Sequence, residues 1–585
     1  MTRNVEVAAL LEEFADLLDA QDVEYKPRSY RRAAEHVRDH PVDVEELVRQ
    51  GEDTVQEIEG VGDAIASKIV EYIETDEIEE LEELRDELPV RMDELTAVEG
   101  VGPKTVGALY EALGITTLDD LEAAAEAGEI QTVSGFGSKT EQNILEHIPF
   151  AREASTRHLL GHARPVADEL LAYLRRDDRV ECASVAGSIR RWRPTIGDID
   201  ILVATDTPEA VVETFTDWER VDTVLEAGST KASVRARGVR VDLRLVPLDT
   251  FGGALQYFTG SRDHNVRLRQ LAIDRDLKMS EYGVFDIAGV SQTERETNPR
   301  AGERVAGDTE ESMYAALDLP WIPPELREDA GEVDAAAEDA LPELIEQADV
   351  RGELHNHTEW SDGAATIEEM ARAAEDAGYT YLGICDHATG PGMVGGVGLR
   401  DEELREQIDA IRIVDEDVDV TLYAGVEANV EEDGALSVGD DVLAALDLVV
   451  ASPHSALDQD AEAATERLVR AIEHPEIDIL GHPTGRMLHR REGLSPSIER
   501  LATAAAEART ALEINAHPAR LDLSGSMVRA AIEYGAPIAV NTDAHSPGEF
   551  ANLRYGIHTA RRGWCEPGDV INTWSQEDLE AFLAD

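Results

Sequence analysis

The sequence predicts a multidomain protein of α and α/β class, with helical modules first, an α/β domain in the middle and a barrel of parallel strands and helices at the C-terminus. Three observations carry this. Gly-hydrophobic-Gly turns recur at Gly60-Val61-Gly62, Gly100-Val101-Gly102 and Gly135-Phe136-Gly137, each leading into a helical pattern. Carboxylates sit inside apolar, strand-like runs between residues 187 and 261. In the last 235 residues, apolar runs ending in histidine alternate with amphipathic stretches such as Ala461–Glu473 and Ser497–Arg509. At 585 residues several domains are expected.

The N-terminal turns resemble helix-hairpin-helix motifs, the third more weakly than the first two. Their glycines let backbone amides approach a DNA phosphate at a helix start, a grip without base information. Gly60, Gly62, Gly100 and Gly102, with Lys68 and Lys104 just behind them, are the expected DNA contacts. The alternative for a bare Gly-x-Gly is a helix-helix turn. The chain has only six lysines, Lys26, Lys68, Lys104, Lys139, Lys231 and Lys278, and three of them follow these turns.

The central region carries an ordered set: Gly187-Ser188, Arg190-Arg191, Gly197-Asp198-Ile199-Asp200, Arg240-Val241-Asp242 and Tyr257-Phe258-Thr259-Gly260-Ser261. Aspartates two apart on a strand face one side, so Asp198 and Asp200 can share divalent cations. Asp242, inside Val239–Val246, completes the set. Oxygen ligands suit Mg²⁺, and two ions roughly 3.5 to 4 Å apart stabilise an in-line phosphoryl displacement. A carboxylate on a buried strand needs a partner or a metal.

In the C-terminal region, ten of the sixteen histidines gather. Apolar runs ending in His387, His454 and His482 read as buried parallel strands, and barrel sites form at C-terminal strand ends. His355, His357, Asp362, His387, Glu427, His454, His482, Asp543 and His545 are therefore expected to converge. Imidazole with carboxylate favours Mn²⁺ or Zn²⁺, and nine ligands exceed one ion's needs. Glu427 is the natural bridge in a cluster of two or three metals. His474, His489, His517 and His558 read as structural, and Arg486 as a phosphate contact or an ion pair.

The central motifs resemble the palm of a family X DNA polymerase, and residues 351–585 resemble a PHP (polymerase and histidinol phosphatase) domain. The resemblance implies a nucleotidyltransferase-type palm and a distorted (β/α)7 PHP barrel. It implies that Asp198, Asp200 and Asp242 are catalytic with two Mg²⁺ or Mn²⁺. Ser188, Arg191 and Gly197 would hold the β and γ phosphates, and Arg240 would orient Asp242. Tyr257, Phe258, Gly260 and Asn265 would line the sugar and base, favouring deoxynucleotides. Arg262 departs from the acidic residue of the vertebrate repair enzymes. Lys68 matches a lysine that forms a Schiff base with an abasic sugar, although Ala64 stands where lyase-competent relatives often carry a basic residue.

The domains expected are 1–90 and 91–150 (helix-hairpin-helix), 151–250 (palm), 251–322 (nucleotide-side subdomain), 323–349 (acidic linker, a tether between two sites) and 350–585 (PHP). With 122 acidic against 53 basic residues, the net charge of −69 opposes nucleic-acid binding at first sight. The acid is dispersed along helices and lysine is scarce, which reads as adaptation to molar salt, where the Debye length is about 3 Å. Disorder from charge conflicts with 42% hydrophobic content. No stretch is long enough to span a bilayer and no signal peptide is seen. Cys182, Cys385 and Cys565 are too scattered for a disulfide framework. A cytoplasmic monomer is expected.

The function expected is gap-filling, template-directed DNA repair synthesis on gapped or nicked double-stranded DNA with deoxynucleoside triphosphates. It is coupled to a 3′–5′ exonuclease, with any abasic-site incision sharing the barrel metals. The alternatives are a template-independent nucleotidyltransferase, a barrel that is a small-molecule phosphatase or a structural metal domain, and a DNA-end scaffold.

Overall fold

The computed structural model describes the chain except residues 1–2, 24–25, 41, 43, 57, 59, 76, 99, 391–396 and 585. It divides into two units: Met1–Arg157 with Met487–Glu492, and His158–Arg486 with Gly493–Asp585. The first boundary falls at Arg157 rather than 150 because one helix, Ser138–Thr156, runs through the expected limit.

The first unit is helical, and the modules expected at 1–90 and 91–150 share one apolar core that includes Phe14, Leu81, Leu95, Leu109 and Ile144. The three Gly-hydrophobic-Gly turns have one geometry. Gly60, Gly100 and Gly135 adopt φ of +77°, +81° and +94°, a region glycine enters without cost. Val61 and Val101 are buried plugs, and Gly102 caps the helix Pro103–Leu113.

The second unit begins with the α/β domain. Its strands are β1 (His158–Leu159), β2 (Cys182–Val185), β3 (Thr195–Ile196), β4 (Ile199–Ala204), β5 (Val221–Ala227), β6 (Lys231–Ala236) and β7 (Val239–Val246). Five form a sheet ordered β2-β4-β7-β6-β5, in which only β4 and β7 are parallel. A small antiparallel meander follows: β8 (Leu277–Ser280), β9 (Gly283–Asp286) and β10 (Glu303–Ala306).

The barrel consists of β11 (Gly352–Glu353), β12 (Tyr381–Ile384), β13 (Thr421–Asn429), β14 (Leu448–Ser452), β15 (Ile479–Leu480), β16 (Ala511–Asn515) and β17 (Ile538–Asn541). All pair in parallel in chain order. A bridge between Asn356 and Ala544 joins the first strand's extension to the last's, nearly closing the ring. Every strand residue except Thr421 at the start of β13 is buried, the pattern of a sheet covered on both faces.

Residues 323–349 are not a solvated tether. Glu325, Arg327 and Glu332 are buried. Glu325 bonds His558 Nδ1 and Arg561 Nε at 2.7 Å each, and Glu332 bonds His264 Nδ1 at 2.5 Å. The acidic composition reads as a solvated stretch only while these distant partners are out of view.

Candidate active sites

The parallel register of β4 and β7 sets Asp200 directly opposite Asp242, and β6 sets Ser233 opposite Asp242 on its other side. Asp198 immediately precedes β4, sharing a face with Asp200 by strand alternation. Ser233 Oγ and Arg240 Nε both donate to Asp242 Oδ1, the latter at 3.0 Å. Burial, then the charges of Asp198 and Asp242, push the Asp200 carboxyl up to about 7 against the pull of Arg244 and Arg191. A divalent cation among these oxygens relieves that repulsion, so the residues present fit the metals expected of the site.

Gly187 explains the Gly-Ser motif. Its φ is +62°, and a Cβ there would overlap the Asp200 carboxylate. The backbone comes this close because Ala186 N donates to Asp200 O at 2.8 Å. Ser188 is half-buried and Gly197 directly precedes Asp198. Arg190 grips Glu310 with two bonds of 2.7 and 2.6 Å and donates to Thr259 Oγ1 at 2.7 Å. Arg191 donates to Thr259 O at 2.7 Å and Glu328 Oε1 at 3.0 Å. The buried Arg327 donates to Glu310 Oε1 at 2.5 Å, the oxygen that Arg190 Nη1 also holds. Burial raises the Glu310 carboxyl, but Arg190 and Arg327 outweigh it and hold it at about 2. Glu310, Arg327 and Glu328 were not visible as site residues in the sequence, because nothing local marks a carboxylate that waits for a distant arginine.

Tyr257 and Phe258 meet edge-on at 5.1 Å near the end of the helix Phe251–Thr259, and the Arg244 guanidinium lies 4.3 Å over the Phe258 ring. Asn265 is occupied internally: its Nδ2 donates to Tyr257 O (2.8 Å) and Gly260 O (3.2 Å), and its Oδ1 accepts from Gln256 (3.0 Å). In this state the amide holds the turn at Gly260 rather than pointing freely at a base. Arg262 is exposed.

The barrel mouth gathers all nine expected ligands. His355 and His357 follow β11, His387 follows β12, Glu427 lies in β13, His454 follows β14, His482 follows β15, and Asp543 and His545 follow β17. Three overlapping groups can each hold an ion: His357, Asp362, His387 and His545; His355, His357 and Asp543; and His387, Glu427 and His454. His482 Nε2 lies 3.0 Å from Glu427 Oε1. The buried Glu427 carboxylate also lies within 3.8 Å of His355, His357, His387 and His454, as a bridging ligand would. Burial raises this carboxyl, but His387, His454 and His355 reverse the effect and hold it well below the usual range. Burial, reinforced by neighbouring imidazoles, lowers His357 to about 4. His454 is also lowered to about 4, where burial outweighs the opposing charge of Glu427. These shifts favour the neutral, ligating form of both rings, whereas at His355, His387 and His545 burial is outweighed by neighbouring carboxylates, which hold the rings above the usual value until a cation takes their place.

Buried atoms without a hydrogen-bond partner include His355 Nε2, both ring nitrogens of His357, His454 Nε2, Glu427 Oε2 and Asp543 Oδ1. Lone pairs left open together in one mouth fit transition metals. The rings are aimed from behind, as metal-ligating histidines are. Glu513 Oε1 lies 2.7 Å from His355 Nδ1, its Oε2 accepts from His482 N at 2.7 Å, and Asn429 Oδ1 lies 2.7 Å from His454 Nδ1. Glu513 was missed by sequence reasoning, although a carboxylate inside the apolar β16 was its available signal.

Arg486 is partly buried rather than at the surface. Its guanidinium donates to the backbone oxygens of Arg520 (2.9 Å) and Leu521. The arginine beside the metal ligands is Arg520, whose Nε lies 4.0 Å from Asp543 Oδ2. In the helical unit, Lys68 Nζ pairs with Glu80 at 2.6 Å. Burial pulls the Lys68 amine down, but Glu80 and Tyr30 outweigh it and hold the ammonium above its ordinary value. Lys104 pairs with Asp22 at 2.7 Å.

Comparison with known proteins accounts for each part. Helix-hairpin-helix domain models match residues 2–78 and 92–148, the DNA polymerase beta thumb model matches 254–328, and the PHP domain model matches 353–517. The chain is 36% identical over 585 residues to DNA polymerase/3′-5′ exonuclease PolX of Bacillus subtilis, covering 99% of both. It is 26% identical over 291 residues to DNA polymerase lambda of Rattus norvegicus, covering 46% of this chain and 48% of the relative. It is 33% identical over 205 residues to a probable phosphatase of Caldanaerobacter subterraneus, covering 33% and 75%. No helix among the described residues is long and apolar enough to cross a membrane. With a full-length relative on one side and two carboxylate-rich sites on one chain on the other, the protein belongs to the family X DNA polymerases that carry a C-terminal PHP domain.

Proposed function

We infer that this chain is a template-directed DNA repair polymerase coupled to a 3′–5′ exonuclease in its PHP domain. The carrying observation is the pairing of Asp200 with Asp242 on adjacent parallel strands, with Asp198 beside them and Gly187 opening the space. The full-length relative named as a polymerase and exonuclease supports it. Asp198, Asp200 and Asp242 would hold Mg²⁺ or Mn²⁺, and the nine barrel residues two or three Mn²⁺ or Zn²⁺. Bound there, such ions supply charge stabilisation at the transferring phosphate. Asp242, oriented by Arg240 and Ser233, approaches the primer 3′-hydroxyl. Ser188, Arg191 and Gly197 receive the triphosphate, Tyr257, Phe258 and Gly260 the sugar, and Arg520 the phosphate to be cleaved.

Gapped or nicked DNA is the substrate that joins the two activities in base excision repair. The helix-hairpin-helix turns, through Gly60, Gly62, Gly100 and Gly102, hold it by backbone amides, which suits a cytoplasm of high salt where counterion release contributes little. Abasic-site incision would share the barrel site. Lys68 serves as a structural or phosphate-facing cation rather than a Schiff-base nucleophile, because an amine nucleophile needs a lowered pKa and Glu80 acts the other way. The chain is read as a cytoplasmic monomer.

The test is a gel assay at high potassium with Mn²⁺ on a gapped duplex with a mismatched 3′ end, with and without deoxynucleotides. Wild type should trim and then fill, and His355→Ala should only fill. Filling by both with trimming by neither, together with turnover of a small phosphomonoester, would assign the barrel to the chemistry of its probable-phosphatase relative instead.

A further inference from the structure

We propose that Arg562, a residue of the PHP domain, is a positioning residue of the polymerase site, fixing the arginine that receives the triphosphate. This rests on the polymerase reading above. The palm segment after Gly187 is a single helical turn, Gly187–Arg190, closed by backbone bonds such as Arg193 N to Ser188 O at 3.1 Å, and its side chains are held from outside. Arg191 reaches Thr259 O and Glu328, and its backbone oxygen is exposed to whatever lies behind it. What lies behind it is the PHP helix Leu553–Arg562. Arg562 Nη1 donates to Arg191 O at 2.8 Å and to Glu328 Oε1 at 3.2 Å. One guanidinium from the nuclease domain therefore grips the nucleotide-binding arginine by its backbone and, through Glu328, by its side chain.

The next residue locks the same loop. Trp192 sits at φ +53°, outside the regions a tryptophan prefers. Its ring stacks on His558, one turn before Arg562, with centroids 3.5 Å apart and planes within 9°. The Arg164 guanidinium lies 4.4 Å from the ring centroid. A side chain held this way keeps a strained backbone in place, and the strain falls beside Arg191. The same interface contains a second ion pair, Arg554 Nη1 to Asp168 Oδ2 at 3.1 Å, that reaches the loop only indirectly, through Arg164 and Tyr555 beside the Trp192 ring. It supplies the control.

The experiment uses the full chain: steady-state, template-directed single-nucleotide extension, with exonuclease trimming measured on the same preparations. Arg562→Ala should raise the deoxynucleotide KM roughly tenfold, the scale of losing a charge-assisted hydrogen bond, with kcat within twofold and trimming unchanged. Arg562→Lys, which keeps the charge and one donor, should recover part of the loss. Glu328→Gln should raise KM in the same direction, and the double variant should cost less than the product of the two. Arg554→Ala, which reaches the loop only through Trp192, should raise KM much less than Arg562→Ala. The proposal is overturned if Arg562→Ala leaves KM unaltered, or if Arg554→Ala raises it equally, which would make the effect one of domain docking. A parallel fall of kcat and trimming in both Arg562 variants would overturn it as misfolding. A wild type that trims but never extends on a template would instead remove the polymerase reading itself.

Discussion

Asp200 and Asp242 are direct neighbours across a parallel strand pair, although 42 positions apart in sequence. The pairing exists because β4 and β7 run side by side, and it places the Asp242 charge where it raises the cost of ionising the buried Asp200.

Substituting the palm carboxylates separates the two activities. Asp198→Ala should abolish extension and leave trimming intact, and His355→Ala should do the reverse. Loss of both activities from either single change would defeat the assignment of independent sites.

Gly187→Ala should lower extension by at least a hundredfold with trimming unchanged, because the methyl group overlaps the Asp200 carboxylate and φ is +62°. Normal extension by a folded variant would show that the loop relaxes and that the glycine is not dictated by this approach.

Glu513→Gln should weaken metal binding at the barrel by roughly 10- to 100-fold, the usual consequence of losing the group that orients a ligating histidine. Equilibrium Mn²⁺ and Zn²⁺ titration of the apoprotein reads this directly. Unchanged affinity would reduce Glu513 to a packing role.

Arg520→Ala should raise the exonuclease KM for DNA while extension is unaffected. Arg486→Ala should do so only through the loop it supports, with a lowered melting temperature alongside. If Arg486→Ala alone impairs trimming, the phosphate contact returns to Arg486.

Acid should loosen the packing of the 323–349 segment against the PHP domain. Burial raises the Glu325 carboxyl, but His558 and Arg561 hold it at about 2, against an ordinary value of 4.5. A depressed carboxylate stabilises fully above its unfolded pKa, and that contribution is lost as pH falls from 4.5 through 2. The shift is worth roughly 3 kcal/mol. In circular dichroism denaturation at fixed salt, Glu325→Gln should be less stable than wild type at pH 7, and the difference should vanish near pH 2. A constant difference across that range would mean that the pair contributes nothing through ionisation.

The sequence by itself determined the chemistry and the class of fold. Asp198, Asp200, Asp242 and most of the nine barrel candidates could be picked out because they stand in or beside an apolar run, where a charged or imidazole group is costly without a metal or partner; the structure brings the nine together at one mouth. The repeated glycine turns were legible because a positive φ leaves a residue-type signature. Only the tertiary structure decided the rest. Glu310, Arg327, Glu328 and Glu513 act through partners on remote segments, and the acidic stretch 323–349 reads as solvent-facing until arginines and histidines from the palm and barrel are brought against it. The nearness of Arg520 to Asp543 was hidden for the same reason: it depends on how the loop between β16 and β17 is held. Composition and periodicity report what a residue's local chain prefers, whereas ion pairs between distant elements are fixed only when the strands that carry them are set in register.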